Sequence, residues 1–254
     1  MPRIAKTFIA TFLCGLLVTA CGGSADGGTG AATSAAATTF PLSTALVNLY
    51  ATGFQKTISV SGTAQSTAGG TSSPFTASLS VTETPVYAGF TFENQAVRQK
   101  TSTNAGVFNI NGIDNGFVEI NQDFLSTNNL LLGTLTPVSY CVASSPGQYP
   151  GTITIGQAQA VATYQCYANS AKTSATGTDK LSFLVSPGNS PTTAIFSVIE
   201  VFVDTTGAQT QYTQKNYLID TSGAISFLSL SFSGLLISNA NGATNGIQVS
   251  FKSQ

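Results

Sequence analysis

The chain has 254 residues, of which 42% are aliphatic, aromatic or cysteine and only 7% are charged. That apolar content can fill a sizeable core and excludes a disordered low-complexity chain. The formal net charge of −1 excludes the cationic footprint that nucleic acid requires, and the absence of histidine excludes Ser-His-Asp and Cys-His nucleophilic machinery and His-ligated zinc.

The first twenty residues read as an export signal. Arg3 and Lys6 form a positive start, and residues 8–17 are an apolar run of about ten residues. A membrane-spanning helix needs about 20 apolar residues, so the run suits a signal peptide instead. It leads into Leu16-Leu17-Val18-Thr19-Ala20-Cys21. Val18-Thr19-Ala20-Cys21 resembles the lipobox of bacterial lipoproteins. The resemblance implies cleavage before Cys21, a lipid on its sulfur and attachment to the cell envelope, with Gly22 favouring the outer membrane. Residues 1–20 are then the signal peptide. The mature chain carries seven basic and ten acidic residues, a net charge of about −3, which disfavours electrostatic binding to anionic lipid headgroups.

Residues 21–39 are the lipidated cysteine and a Gly/Ala/Ser/Thr linker with an end-to-end distance of roughly 25 Å. A single β domain is expected over 40–254. It begins with one short helix, in which Leu42, Leu46, Leu49 and Tyr50 share a face, Pro41 suits the first turn and Gly53 suits the C-terminal cap. This helix is expected to pack on a sheet edge or to plug one end of the sheet.

From Thr57 onward the apolar residues alternate, as in Ile58-Val60-Gly62 and Phe75-Ala77-Leu79-Val81, and about a dozen strands are expected. Val118 and Ile120 face one way, and Glu119, Asn121 and Asp123 the other, where they read as solvated acids rather than ligands of a hard cation. Asp114-Asn115-Gly116 marks a hairpin. Asp204-Thr205-Thr206-Gly207-Ala208 and Asp220-Thr221-Ser222-Gly223-Ala224 are near-identical turn pentapeptides. They join strands 194–203, 211–219 and 224–233 into an antiparallel meander. The extra residue before each glycine sets both turns apart from an aspartic-protease motif. The expected fold is all-β: an antiparallel, meander-rich sandwich or partly open barrel.

Cys141 and Cys166 are the cysteines that remain in the mature chain besides Cys21. An oxidising envelope favours a structural disulfide between them, and with no histidine to lower a thiol pKa, cysteine catalysis has no support. From Ile155 to Phe227 the chain resembles a group of proteobacterial envelope lipoproteins to which no activity attaches. The shared features are Gly156, Tyr164 and Tyr167, Thr193-Ala194-Ile195, the Asp204–Gly207 hairpin and Ser222-Gly223-Ala224-Ile225.

Glu200 is the outlier among the carboxylates. It shares a strand face with Phe196, Val198 and Phe202, where a bare charge is costly. A cross-strand pair with Lys215 at a sheet rim, or a place inside a ligand cavity, are the two readings. No catalytic, metal-binding or cofactor constellation is evident. The leading expectation is a non-enzymatic structural or binding lipoprotein, attached to the membrane by the lipid on Cys21. A carrier or chaperone for an apolar ligand or lipoprotein is the alternative, because strand 194–203 and Leu235-Leu236-Ile237 are apolar on both faces. A hydrolase using two carboxylates is a weaker one.

Overall fold

The computed structural model describes residues 38–66, 71–110, 113–240 and 243–253, with backbone alone for 110, 113, 237–240 and 243–246. The expected signal peptide, Cys21 and nearly all of the linker lie outside the described residues. In chain order the elements are β1 (Thr39–Phe40), α1 (Leu42–Thr52), β2 (Phe54–Ser66), β3 (Ser73–Glu83), β4 (Tyr87–Phe92), β5 (Gln95–Ile110), β6 (Ile113–Leu125) and β7 (Leu131–Thr136). There follow β8 (Ser139–Gly147), β9 (Ile153–Thr154), β10 (Ala158–Tyr167), β11 (Ala175–Pro187), β12 (Thr193–Asp204), β13 (Gln209–Asp220), β14 (Ile225–Ala240) and β15 (Ala243–Ser253).

The fold is all-β and antiparallel, with α1 the one helix among the described residues. Thirteen strands form one sheet in which each strand lies beside its sequence neighbour, so the whole wall is a meander. Its ends meet. β15 pairs with β2, Val249 opposite Ala64, and β3 pairs with β5, Leu79 opposite Gly106. The sheet therefore closes into a barrel. β4 is the exception to the ring: it shares the β5 edge with β3, taking residues 95–99 while β3 takes 102–108. β3 and β4 act as one long strand broken at Thr84-Pro85-Val86, where proline removes a ladder donor.

Polarity follows the pleat. On β2 and β3, Ile58, Val60, Phe75, Leu79 and Val81 are buried, while Thr57, Ser59, Thr63, Thr76 and Ser78 are exposed. On these two strands hydroxyl groups face outward and apolar side chains inward. Phe75 packs on Phe108 and Phe251, and Phe108 on Phe117, at ring-centroid distances of 5.2 to 6.4 Å. β14 approaches β6 across the interior on this side, which flattens the barrel.

The helix plugs one end. Asn48 Nδ2 donates to the carbonyl of Gly223 (3.2 Å), the Val86 amide to that of Tyr50 (2.8 Å) and the Ser43 amide to that of Gly151 (3.0 Å). Three different loops at one end of the barrel are thus tied to α1. Leu42, Ala45, Leu49 and Tyr50 are buried beneath it. Pro41 caps the N-terminus rather than entering the first turn, and Gly53, at φ 60°, closes the C-terminus by donating to the Leu49 carbonyl at 2.7 Å.

The repeated turns form as their sequence suggests. Asp204 Oδ1 accepts from the Thr206 amide (2.8 Å), Thr206 Oγ1 (2.6 Å) and the Ala208 amide (3.0 Å). Asp220 does the same with Ser222 and Ala224. These bonds to the ionised form hold both carboxyl groups below the usual range, led by the Thr206 and Ser222 hydroxyls. The expected hairpin at Asp114-Asn115-Gly116 is misplaced. Those residues lie inside β6, and the reversal falls between the paired Ile110 and Ile113, one turn signal earlier.

Cys141 and Cys166 are direct cross-strand partners on β8 and β10 and form a disulfide, with a Cα–Cα distance of 4.0 Å. Both are buried on the inner face.

Candidate functional site

The interior is divided by a layer of charge. Glu83, at the end of β3, sits directly opposite Ser102 on β5, and Lys100 sits opposite Asp123 on β6. Lys215 and Tyr217 reach the same point from β13, on another part of the wall. Glu83 accepts from Lys215 Nζ (3.0 Å), Tyr217 Oη (3.0 Å), Ser102 Oγ (3.2 Å) and Lys100 Nζ (3.3 Å). Lys100 also pairs with Asp123 at 3.1 Å. The Glu83 side chain is 1% exposed.

Burial pushes the Glu83 carboxyl up, but Lys100 and Lys215 outweigh it and hold the group well below the usual carboxylate range. Burial likewise disfavours the charged form of both lysines, and Glu83 more than reverses it. The Tyr217 phenol is pushed up, by burial and then by Glu83, so it stays a donor. This network is charge-neutral and saturated, and it ties β3, β5, β6 and β13 together through the lumen.

Local sequence places Glu83. The break at Pro85 ends β3 immediately beyond it, and Thr84 holds the break by a reciprocal pair with Thr101: its amide donates to the Thr101 carbonyl (2.9 Å), and its Oγ1 accepts from the Thr101 amide (3.0 Å). The helix end lies against the same point. A Cβ on Gly53 would stand 2.2 Å from the Glu83 carbonyl oxygen, so glycine is required there for the approach as well as for its φ.

Beyond this layer, away from the helix, lies a cavity of about 560 Å³. Four carboxylates line it, Glu119, Asp123, Asp179 and Glu200, against one lysine, Lys215. Phe117, Phe202 and Leu236 supply apolar wall, and the exposed Val138 stands at the opening. A pocket of about 50 Å³ lies on the helix side and shares Asp123, Glu200 and Lys215 with the cavity, so the charged layer is the partition between them.

Asp179 and Glu200 are the two unusual acids. Asp179 on β11 is opposite Phe202 on β12, and Leu181 is opposite Glu200. The two acids are therefore diagonal neighbours on one face, a relation that places Cα atoms about 7–8 Å apart. Burial, reinforced by Asp123, raises the Asp179 carboxyl to about 6. Burial, reinforced by Asp179, raises the Glu200 carboxyl to about 8 against the opposing pull of Lys215. Two carboxyl groups this close titrate as a pair, and burial together with their mutual repulsion favours a proton held on it, with Glu200 the more strongly raised of the two. Asp179 Oδ1, Asn121 Oδ1 and Thr176 Oγ1 are buried oxygens of cavity-lining residues without a hydrogen-bond partner. Among the described residues, no three acidic or cysteine side chains converge closely enough to hold a metal ion.

The two residues singled out by the strand pattern, Glu200 and Lys215, both line this cavity. They are diagonal across β12 and β13, Glu200 being opposite Thr213 and Lys215 opposite Val198. Among the described residues the ion pair of Lys215 is with Glu83, not Glu200. Glu119, Asn121 and Asp123 do share a face, but it is the inner one. Val118 and Ile120 are the exposed residues of that strand, so the reading of these acids as solvated surface groups is corrected. A polar lumen reverses the usual rule that the apolar face of a strand is the buried one. Glu83, Lys100 and Ser102 were not distinguished by sequence, and the break at Pro85 just after Glu83 is the signal that marks the first of them.

No protein family, curated protein or solved structure matches this chain.

Proposed function

We propose that this chain is a lipid-anchored protein of the bacterial cell envelope, held on the outer membrane through the lipid on Cys21. On this reading the barrel is a non-enzymatic binding module whose ligand occupies the interior cavity. The observation that carries the binding role is that cavity, about 560 Å³, with apolar and carboxylate side chains together in its wall. Ligand sites have such volumes, with a few convergent polar groups in an apolar wall. The anchor rests on the lipobox-like Val18-Thr19-Ala20-Cys21, and the Cys141–Cys166 disulfide suits an oxidising compartment.

A neutral apolar fluorophore such as N-phenyl-1-naphthylamine tests the binding role. One site per chain, competed by molecules that fill the cavity, is expected; no uptake, together with no co-purified small molecule in native mass spectrometry, would end it. Cys21→Ala should leave the fold intact and release the protein from membranes, and a variant that still fractionates with the outer membrane would refute the anchor.

Hydrolysis by two carboxylates is a second reading, favoured by the proton that Glu200 and Asp179 hold as a pair. Catalytic carboxylates are held in place by surrounding hydrogen bonds, whereas Asp179 Oδ1 has no partner. Binding is therefore preferred. Turnover of chromogenic glycosides that disappears in both Glu200→Gln and Asp179→Asn would establish the hydrolase instead.

A further inference from the structure

Which ligand the cavity takes follows from its unused chemistry. This inference rests on reading the cavity as a ligand site. Its one lysine, Lys215, already donates to Glu83 and to Ser102 Oγ (3.1 Å), so it offers little to an incoming anion. Asp123 is occupied by Lys100. Asp179 and Glu200 are left, and among the described residues neither has an ion-pair partner. Of the orphaned atoms in the same cavity, Asp179 Oδ1 and Asn121 Oδ1 accept, and the Thr176 hydroxyl can accept or donate. A buried acceptor without a donor is costly, and an acidic pair with an unpartnered oxygen of its own, sharing its cavity with an unpartnered amide oxygen, calls for a ligand rich in donors and positive in charge. Phe117, Phe202 and Leu236 in the wall, with Val138 at the opening, call for an apolar body.

We propose that the cavity binds an organic cation, an ammonium group joined to an apolar body, with the ammonium between Asp179 and Glu200 and the apolar part against Phe117, Phe202 and Leu236. A primary ammonium has three N–H donors and matches the acceptor set. A divalent metal fits less well, because among the described residues no three acidic or cysteine side chains converge.

Binding is coupled to a proton. The free protein holds a proton on the acidic pair, Glu200 the more strongly raised, and a cation beside it favours the carboxylate. The carboxyl proton leaves to solvent as the ion pair forms, and nothing else is exchanged. The groups that act on Glu200 are Asp179 on β11, Asp123 on β6, Lys100 on β5 and Lys215 on β13, with the phenols of Tyr149 and Tyr164 nearby. The lysines stay charged and the phenols neutral through pH 6–9, and Asp179 completes its ionisation below Glu200. Affinity for a permanently charged ammonium should therefore rise with pH up to about 8 and then level.

The test is calorimetric titration of the full-length chain with n-octylammonium, n-octanol and octanoate at pH 6.5 and 8.5. The expected result is that octylammonium binds at least tenfold more tightly than octanoate at both pH values, and about tenfold more tightly at pH 8.5 than at 6.5. Proton release should be visible as a dependence on buffer ionisation heat. Glu200→Gln should remove the pH dependence, and Asp179→Asn should weaken octylammonium while leaving octanol unchanged. Octanol binding as tightly as octylammonium would overturn the cation proposal and keep the cavity as a ligand site. Octanoate binding best would do the same. Binding of none of the three, with no dye uptake, would remove both.

Discussion

Replacing Glu200 with glutamine should stabilise the protein, and by an amount that depends on pH. In the unfolded chain the carboxyl group titrates at its ordinary 4.5; in the barrel, burial and Asp179 raise it to about 8. Below 4.5 the group is protonated in both states and contributes nothing. Between 4.5 and 8 the folded state holds a proton that the unfolded state has lost, so stability falls as pH rises and levels only above 8. Full burial would make the loss about 5 kcal/mol. Glu200 faces a cavity wide enough for water, and screening there leaves about 2–3 kcal/mol. Glutamine keeps the shape without the titration. Urea unfolding at pH 5, 7 and 9 should show wild type and Glu200→Gln nearly equal at pH 5. At pH 9 the variant should be ahead by about 2–3 kcal/mol, a midpoint difference of about 1 M. Asp179, raised to about 6, is present in both proteins, so the difference between them reports the loss of the carboxyl group at position 200. A stability difference that does not change between pH 5 and 9 would refute the assignment of Glu200 to a desolvated site beside a second carboxylate.

Glu83→Gln should act in the opposite direction. It leaves Lys215 without its ion-pair partner, while Lys100 keeps Asp123, and should cost about 3–5 kcal/mol by chemical denaturation at pH 7, the usual penalty for uncompensated buried charge. Removing the disulfide with the Cys141→Ala, Cys166→Ala pair should lower stability by about 3.5 kcal/mol on chain-entropy grounds, for a sequence separation of 25, without altering the far-ultraviolet strand signature. Gly53→Ala forces a side chain into a φ of 60° and against the Glu83 carbonyl. It should destabilise by about 2 kcal/mol or more, and a neutral result in thermal unfolding would argue that the helix plug is not docked on Glu83.

Local features were legible in the sequence, and long-range ones were not. The turn pentapeptides at Asp204 and Asp220 are self-contained, since each carboxylate bonds within its own loop, so spacing alone specifies them. The same holds for α1, whose face and Gly53 cap are written within a dozen residues. The Cys141–Cys166 pairing needed only two cysteines and an oxidising setting. Closure of the barrel, by contrast, depends on Ala64 meeting Val249, a contact that no local periodicity encodes. The site failed to show for a related reason. Glu83, Ser102 and Lys215 come from three strands far apart in the chain, and Glu119, Asn121 and Asp123 alternate with Val118 and Ile120 just as they would on a solvent face. Alternation reports that two faces differ, not which of them is inside. Glu200 was visible only because its neighbours Phe196, Val198 and Phe202 made a charge there anomalous.

A crystal structure of the protein grown with n-octylammonium at pH 8.5 tests the central claim most directly. The ammonium nitrogen should lie between Asp179 and Glu200, with the alkyl chain running past Phe202 toward Leu236. An empty acidic pair with the amine bound elsewhere, or a barrel whose own side chains fill the space, would contradict it.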